Sequence, residues 1–168
     1  FIFFSKAALQ LCKMLRFTPD IIHANDWHTA AMSLLSKTRF VHDFANAATV
    51  LTIHNLQHQG NFYKGVMDVL EVGWEHFNSR EFEDHDRVNL LKGAIAQADA
   101  ITTVSKKYAL EIQTAEFGFG LESHIQAHSR KLFGILNGVD YDEWSPAVDE
   151  YLVKKYDVRK ISGKKACK

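Results

Sequence analysis

The sequence contains few cysteines, and they are too sparse for a disulfide framework. One is Cys12, inside an apolar helical pattern, and the other is Cys167, near the C-terminus. Small disulfide-stabilised domains need more cysteines, at closer and regular spacings. We therefore expect a reducing compartment, which is the cytoplasm if the source is bacterial and a plastid if it is a plant or alga.

The sequence also lacks an excess of charge and any long apolar run. Lysine plus arginine and aspartate plus glutamate number 20 each, so the total charge attracts neither nucleic acid nor an acidic membrane. No stretch approaches the apolar length of a membrane-spanning helix. The apolar start at Phe1 is followed by Lys6 without a small-residue cleavage site, so the sequence predicts no signal peptide there.

Several catalytic signatures are missing as well. Gly118-Phe119-Gly120 follows no predicted strand, and Ser123 replaces the third glycine of a dinucleotide loop. No Gly-x-Ser-x-Gly nucleophile elbow is present, and neither cysteine has a reactive context. His23, Asp26 and His28 are candidate metal ligands by residue type, but no cysteine and no helical i, i+4 histidine pair supports them as a site. The sequence therefore predicts no covalent acyl or thiol chemistry, no metal and no cofactor.

What the chain does contain is an ordinary globular composition, with 46% hydrophobic and 24% charged residues over 168 positions. Its short apolar runs are the length of buried strands and are separated by segments long enough for helices. The predicted strands are Ile21–Ile22, 48–53, 99–104 and 132–136.

The segments between the strands show helical spacing or helix caps. Phe4, Ala8, Leu11 and Leu15 predict a first helix with one buried face. Further helices are predicted after the cap Asp26, near Met67–Val72, through Val88, Leu91, Ile95 and Ala98 with acidic residues 81–86 at its start, from Lys106 to Gln113 after the cap Ser105, and on the surface after Ala147, before a Ser162-Gly163 linker.

Strands alternating with helices predict an α/β fold, with a Rossmann-like parallel sheet and flanking helices. The carboxyl ends of such strands share one edge, where ligands bind. Polar residues follow all four predicted strands: Asp26, Trp27 and His28; His54 and Asn55; Ser105; and Asn137.

Simpler interpretations remain open at this point. Asp26 is also placed to cap a helix, Trp27 and His28 are also placed to pack in its first turn, and Asn137-Gly138 is a turn signal. The order of the strands cannot be read from the sequence, so the true neighbours along the edge stay open.

Taken together, the strand-end motifs resemble one family. They are His23-Ala-Asn-Asp-Trp-His28, Thr52-Ile-His-Asn55, Ile101-Thr-Thr-Val-Ser105, Glu111-Ile-Gln-Thr114 with Glu116-Phe-Gly118, and Ile135-Leu-Asn-Gly-Val-Asp140 with Trp144. In order and spacing, from about Pro19 to Pro146, they resemble the bacterial and plant type of glycogen and starch synthases.

That resemblance implies a retaining glucosyltransferase that moves glucose from a nucleotide sugar, usually ADP-glucose, to the non-reducing end of an α-1,4-glucan. It implies the two-domain glycosyltransferase B architecture and no catalytic metal. Residues 1–146 would be part of the N-terminal, acceptor-side domain, and residues 147–168 a surface helix and linker toward a C-terminal domain. The family's Lys-x-Gly-Gly-Leu loop would precede Phe1, so we expect a fragment, inactive alone.

The resemblance also assigns roles to residues. His54 matches the histidine that contacts the donor glucose near the reacting carbon, Asp26 an aspartate of the sugar pocket, and Asn137 an asparagine that reaches the glucosyl group. Trp27, His28, Asn55 and Ser105 would support substrate binding. His58 stands where the family commonly has tyrosine, which would alter acceptor contacts but not the catalytic positions.

Two other functions are considered beside this one. A sugar-nucleotide epimerase of the same architecture would share the sheet but not all the motifs. A stand-alone α-glucan-binding module would bind maltooligosaccharides by itself. We also expect exposed apolar surface where further elements would pack, which would promote self-association of the fragment.

Overall fold

The computed structural model describes residues 1–168 and divides the chain into two compact units. The first unit is Phe1–Leu136, and the second is Asn137–Lys168. All strands lie in the first unit, whereas the second contains one helix, α8 (Ser162–Cys167).

The first unit alternates strands and helices. Its strands are β1 (Ile21–Asn25), β2 (Ala48–Ile53), β3 (Asn61–Tyr63), β4 (Glu83–Asp84), β5 (Arg87–Asn89), β6 (Ala100–Thr103) and β7 (Leu132–Gly134). Its helices are α1 (Ile2–Met14), α2 (Asp26–Thr29), α3 (Ala31–Leu35), α4 (Val66–Leu70), α5 (Leu90–Gln97), α6 (Lys106–Glu111) and α7 (Glu122–Ala127), with short 3-10 turns at Trp74–His76 and Ser129–Lys131.

A four-stranded parallel sheet forms the centre of this unit, with the strand order β1-β2-β6-β7. The predicted α/β fold with a parallel sheet is confirmed. β2 lies between two neighbours, as its continuous apolar, β-branched sequence indicates. Asn25 of β1 is opposite Thr52 of β2, and Ile53 is opposite Thr103 of β6, so the carboxyl ends meet at one edge.

One face of the sheet is covered by helices. Leu51, Ile53 and Ile101 point to this face and are fully buried with side chains of α3 and α5, which also pack against each other. Burial of these aliphatic side chains stabilises the fold by roughly 1.5–3 kcal/mol each.

The opposite face of the sheet is open. Ile21, His23 and Asn25 of β1 point to it and are all exposed, and Phe133 of β7 is on the same face. Ile21 is 59% exposed and Phe133 is 54% exposed. Doubly wound sheets carry helices on both faces, whereas this face of the sheet is exposed at β1 and β7.

The helix predicted through Val88, Leu91, Ile95 and Ala98 is confirmed from Leu90 onward as α5, but Val88 and the acidic residues 81–86 are not part of it, and their placement at its start is wrong. β4 and β5 make an antiparallel hairpin, and Val88 lies in β5 opposite Phe62 of β3. His85 and Asp86 have φ values of 52° and 57°, which suit a tight hairpin turn. α5 begins only at Leu90. Asn89 caps it, because its side chain accepts a hydrogen bond from the Lys92 amide.

The first helix is confirmed, but its predicted buried face is wrong. Ser5 and Leu9 are the buried residues of α1, whereas Leu11 is 52% exposed and Leu15, beyond the end of the helix, is 68% exposed. The helix has apolar residues on more than one face, so periodicity alone did not select the one that packs on α3.

The smaller helix predictions have mixed outcomes. α4 confirms the short helix expected near Met67–Val72, and α6 confirms the helix capped by Ser105, whose hydroxyl accepts from the Tyr108 amide at 2.9 Å. The helix expected after Asp26 is present as two short helices, α2 and α3.

The surface helix predicted after Ala147 is absent, and helix α8 occupies the predicted linker instead. Aspartates fold the preceding stretch into turns: Asp149 accepts from the Tyr151 amide, and Asp157 from the amides of Arg159 and Lys160. Such local side-chain bonds compete with helix formation. None of the helices in the chain has both the length and the apolar character to cross a membrane.

Candidate functional site

The site is built where β1 and β2 end. β1 is followed directly by Asp26, the first residue of α2, whose φ of 52° is in the left-handed region. Few residues other than glycine adopt this conformation without a compensating contact. Here the contact is a hydrogen bond, in which the Asp26 carboxylate accepts from the main-chain amide of His54 at 2.8 Å.

Asp26 is therefore not the cap of the following helix, and that interpretation is wrong. The residue in the N-cap position is Asn25, and no side chain caps α2. The carboxylate instead ties the end of β1 to the first residue after β2. Its Oδ2 atom has no partner within the chain and stays available to a ligand.

His54 is exposed, and its imidazole is held by the neighbouring strand end. Its Nε2 lies 3.0 Å from the Asn25 side-chain oxygen. An amide oxygen only accepts, so Nε2 carries a proton, and Nδ1 has no partner within the chain. Asn25 is a site residue that the sequence predictions omitted. Its signal was its place at the carboxyl end of a strand, directly before Asp26.

Asn55 and His58 form the turn after His54. The Asn55 side chain accepts from the Gln57 amide at 3.0 Å, and its carbonyl accepts from the His58 amide at 3.3 Å. The side chains of His54, Asn55 and His58 are exposed, so the His58 ring is free at the same edge as His54. Their predicted roles in substrate binding stay predictions.

Trp27 and His28 lie in α2 beside this edge. The Trp27 ring is half-buried and stacks at a tilt on His28, with ring centroids 4.2 Å apart, and it also contacts Phe62. Gly60, with a φ of 68°, lies against the ring, and a Cβ there would come within 2.7 Å of it. The packing interpretation therefore describes Trp27, while the supporting role of both rings in sugar binding stays a prediction.

Ser105 lies at the end of β6 and is engaged by α6. Its hydroxyl accepts from the Tyr108 amide, and the Tyr108 hydroxyl accepts from the Leu56 amide at 3.0 Å. This chain of contacts connects the third strand end to the loop after His54. Substrate binding by the Ser105 hydroxyl itself stays a prediction.

Asn137 is the first residue of the second compact unit, whereas the other predicted site residues belong to the first. Its predicted contact with the glucosyl group stays a prediction. β7 ends at Gly134, and the Ile135 amide still donates to the Thr103 carbonyl at 2.8 Å.

A row of polar side chains, also missed by the sequence predictions, crosses the open face below the site. His23 Nε2 lies 2.6 Å from the Thr52 hydroxyl, which lies 2.6 Å from the Thr102 hydroxyl. These three residues sit on adjacent strands β1, β2 and β6. In the sequence, each of these residues alternates along its strand with buried apolar residues, which places it on the opposite face of the sheet. That the three residues are neighbours follows only from the strand order, which the sequence does not give.

A buried amide pair supports the loop from below. The Gln59 side chain accepts from Asn89 Nδ2 at 2.7 Å and donates to the Phe119 carbonyl at 3.1 Å. Both amides are nearly inaccessible, so their hydrogen bonds are costly to break. The pair links the loop after His54 to the Gly118–Gly120 segment. No group of three or more His, Cys, Asp or Glu side chains in the chain is arranged to hold a metal ion.

The arrangement can hold a polyhydroxylated ligand. It offers the free Asp26 oxygen and the His54 Nδ1 as acceptors, both fixed by contacts that use their other atoms. Preorganised acceptors of this kind suit sugar hydroxyls and developing positive charge.

Comparison with known proteins gives one consistent family. Residues 1–127 match the family model described as the starch synthase catalytic domain. Glycogen synthase 1 of Geobacter metallireducens is 51% identical over all of this chain, and the glycogen synthase of Myxococcus xanthus is 46% identical over all of it. The chain covers 34% and 36% of those relatives, so it spans about a third of their length.

A solved structure agrees with this assignment. The catalytic domain of starch synthase IV from Arabidopsis thaliana, bound to ADP and acarbose, superposes with a TM-score of 0.83 and 36% sequence identity. The match covers 98% of this chain and 34% of that structure. The resemblance in the strand-end motifs is thereby confirmed, and the chain belongs to the starch synthase catalytic domain family.

Proposed function

We propose that this chain forms the acceptor-side part of the active site in a retaining glucosyltransferase. That enzyme transfers glucose from ADP-glucose to the non-reducing end of an α-1,4-glucan. The observation that carries the proposal is the convergence of His54, Asp26 and Asn25 at one sheet edge in a chain of the starch synthase family. The glycogen synthase names of its relatives favour neither the epimerase nor the stand-alone glucan-binding module.

The chemistry needs a surface that tolerates positive charge on the sugar ring. Retaining transfer passes through an oxocarbenium-like state, so a carboxylate and fixed hydrogen-bond acceptors near the ring lower its energy. The free oxygen of Asp26 supplies negative charge, and the Nδ1 of His54 accepts from a hydroxyl of the transferred glucose. Asn25 holds the His54 ring in the orientation this requires.

His54 acts through hydrogen bonds rather than as a general base in this proposal. The departing phosphate of the nucleotide accepts the proton of the acceptor hydroxyl as the new glycosidic bond forms. No metal ion or cofactor takes part. The chain supplies position and charge, and the leaving group supplies the base.

The nucleotide contacts come from outside this chain in the proposal, because the chain spans about a third of its relatives' length. The structural relative bound to ADP supports a nucleotide-sugar donor. We expect no glucose transfer and weak or no maltooligosaccharide binding by the chain alone. Incorporation of labelled glucose into glycogen by the 168-residue chain would contradict this expectation.

The proposal is tested in the full-length protein by replacing His54 with alanine. We expect kcat for transfer from ADP-glucose to glycogen to fall by roughly 10²- to 10³-fold, the usual effect of losing one preorganised hydrogen-bonding group. His42→Ala is the matched control, because His42 is an exposed loop residue without a side-chain partner, and it should leave kcat unchanged. Near-normal turnover of the His54 variant would overturn the assignment.

A further inference from the structure

Two histidines at the end of α7 form a pair that the proposed transfer reaction does not use. His124 lies within α7 and His128 directly follows it, so they are four residues apart, and their ring centroids are 4.7 Å apart. Side chains at this spacing lie on one face of a helix, which is how paired histidines chelate a metal.

Each ring has one nitrogen fixed by a main-chain carbonyl. His124 Nε2 lies 2.9 Å from the Lys92 carbonyl, and His128 Nδ1 lies 2.8 Å from the His124 carbonyl. Carbonyl oxygens only accept, so both nitrogens carry protons, and neither the His124 Nδ1 nor the His128 Nε2 has a partner within the chain. Metal-binding histidines characteristically donate their second ring N–H in this way, which orients the ring and raises its basicity.

A metal ion coordinates an imidazole through a nitrogen that carries no proton. On each ring the nitrogen open to an ion is the one without a partner in the chain, His124 Nδ1 and His128 Nε2.

The pair lines an open cavity of about 570 Å³, which Ser79, Arg80 and Ser123 also line. The cavity leaves room for water on an ion held by two imidazoles. Its positive charges oppose a bare cation, but the Lys92 ammonium is engaged by the Glu83 carbonyl and lies 3.8 Å from Asp84. Arg80 has no carboxylate partner, so its guanidinium can attract an anion that also coordinates the metal ion.

We propose that His124 and His128 form a two-imidazole site for a divalent d-block cation, such as Zn²⁺, with water or a small anion completing the coordination. Imidazole is a preferred ligand of these ions, whereas Mg²⁺ and Ca²⁺ prefer oxygen ligands. The selectivity is part of the proposal: Zn²⁺ and Ni²⁺ bind, and Mg²⁺ does not.

The test is titration of the full chain with Zn²⁺, Ni²⁺ and Mg²⁺ by calorimetry at pH 7.5, alongside the variants His124→Gln and His128→Asn. The amide nitrogen of glutamine lies near the position of His124 Nε2, and that of asparagine near the position of His128 Nδ1, so each variant can still donate to the same carbonyl. We expect one Zn²⁺ per chain, weakened by at least about 10-fold in each variant, since even a lost supporting partner costs that much. His85→Asn is the matched control, because His85 is an exposed turn residue with a φ of 52° that asparagine tolerates.

Nitrogen-15 spectra of the imidazoles in the unaltered chain give a second readout that does not depend on the variants folding. Zn²⁺ should shift His124 Nδ1 and His128 Nε2 and leave the other histidine rings in place. Equal Zn²⁺ affinity in the wild type and both variants, shifts at other rings only, or equal binding of Mg²⁺ would each overturn the proposal. So would the same shifts on adding inorganic phosphate without a metal, because that outcome identifies an anion site at Arg80.

Discussion

The Asp26 side chain performs two tasks with its two oxygens. One oxygen accepts from the His54 amide at 2.8 Å, which fixes the distance between two strand ends, and the other has no partner within the chain. The residue adopts a left-handed backbone conformation, with φ of 52°, that this hydrogen bond helps to maintain. A change here therefore alters the shape of the site as well as its charge.

Replacing Asp26 separates these two tasks. Asp26→Ala should destabilise the chain by roughly 1–2 kcal/mol, because a charged hydrogen bond is lost and alanine is strained at positive φ. Asp26→Asn should lose less than half as much, since asparagine tolerates the conformation and still accepts through its amide oxygen. Urea unfolding of the three proteins measures the difference. Equal stability of the two variants would show that the carboxylate charge, rather than the hydrogen bond, supports the loop.

His124 should make the chain less stable in mild acid. Burial holds its pKa near 4 in the folded state, whereas the ring takes up a proton near pH 6.5 when unfolded. The unfolded state therefore binds more protons between these values, and stability falls as the pH drops from about 6.5 to 4, by roughly 1–3 kcal/mol in total for this partly exposed ring.

The measurement is the unfolding free energy at pH 7, 6, 5 and 4, without metal, for the wild type and His124→Asn. The difference between the two proteins should shrink or reverse toward pH 4, because only the wild type carries the titrating ring. Parallel curves across the range would contradict the burial of His124.

At the scale of elements, β7 is packed against the start of α6 without space for a side chain. A Cβ on Gly134 would come within 2.4 Å of the Ser105 carbonyl and 2.5 Å of the Lys106 Cα, and both of these are main-chain atoms. Gly134→Ala should destabilise the chain by about 1–3 kcal/mol, the usual cost of overpacking. Gly138→Ala is the control, since no atom lies within 4 Å of its added Cβ. Thermal unfolding distinguishes them, and equal melting temperatures would contradict the close packing.

The elements differ in how well the sequence predicts them. β2 and β6 were predictable because each is a short apolar run that ends in polar residues, and α6 was predictable because Ser105 caps it. The β4–β5 hairpin was not, because Val88 fits helical spacing with Leu91 and Ile95 although it pairs with Phe62 across a sheet. Tertiary pairing overrode the local pattern there.

The helix predicted after Ala147 was wrong for the opposite reason, because local hydrogen bonds rather than tertiary pairing decided the structure there. The spacing permitted a helix after Ala147, but the side chains of Asp149 and Asp157 bind main-chain amides nearby and fold turns instead.

The site was predictable in part. The strand-end position of His54 and Asp26 is visible in the sequence, whereas the hydrogen bonds of Asn25 to His54 and of Thr52 to Thr102 depend on strand order.

At the scale of the whole molecule, the apolar outer face of α1 is a surface without a partner. Phe3, Leu11 and Met14 line an open groove of about 540 Å³ with Phe40, and Phe3 is 82% exposed. Contiguous apolar surface of this kind promotes association. We predict that the chain self-associates as its concentration rises.

Sedimentation velocity across a concentration series measures this association. The double variant Phe3→Lys and Leu11→Lys should move the chain toward monomer, because charges on the groove disfavour its burial. Tyr151→Lys is the control, since Tyr151 is 97% exposed and does not line the groove. A wild-type chain that stays monomeric at every concentration would contradict the prediction.

The row of His23, Thr52 and Thr102 on the open sheet face has a directional property. Each hydroxyl has a single proton, so Thr52 donates to one neighbour and accepts from the other. The two hydrogen bonds therefore run in the same direction along the row. A His23 ring that carries a proton on Nε2 donates it to Thr52, which turns the Thr52 hydroxyl toward Thr102. A ring that accepts at Nε2 reverses both bonds. The position of one proton on an edge strand thus sets the direction of a hydroxyl two strands away.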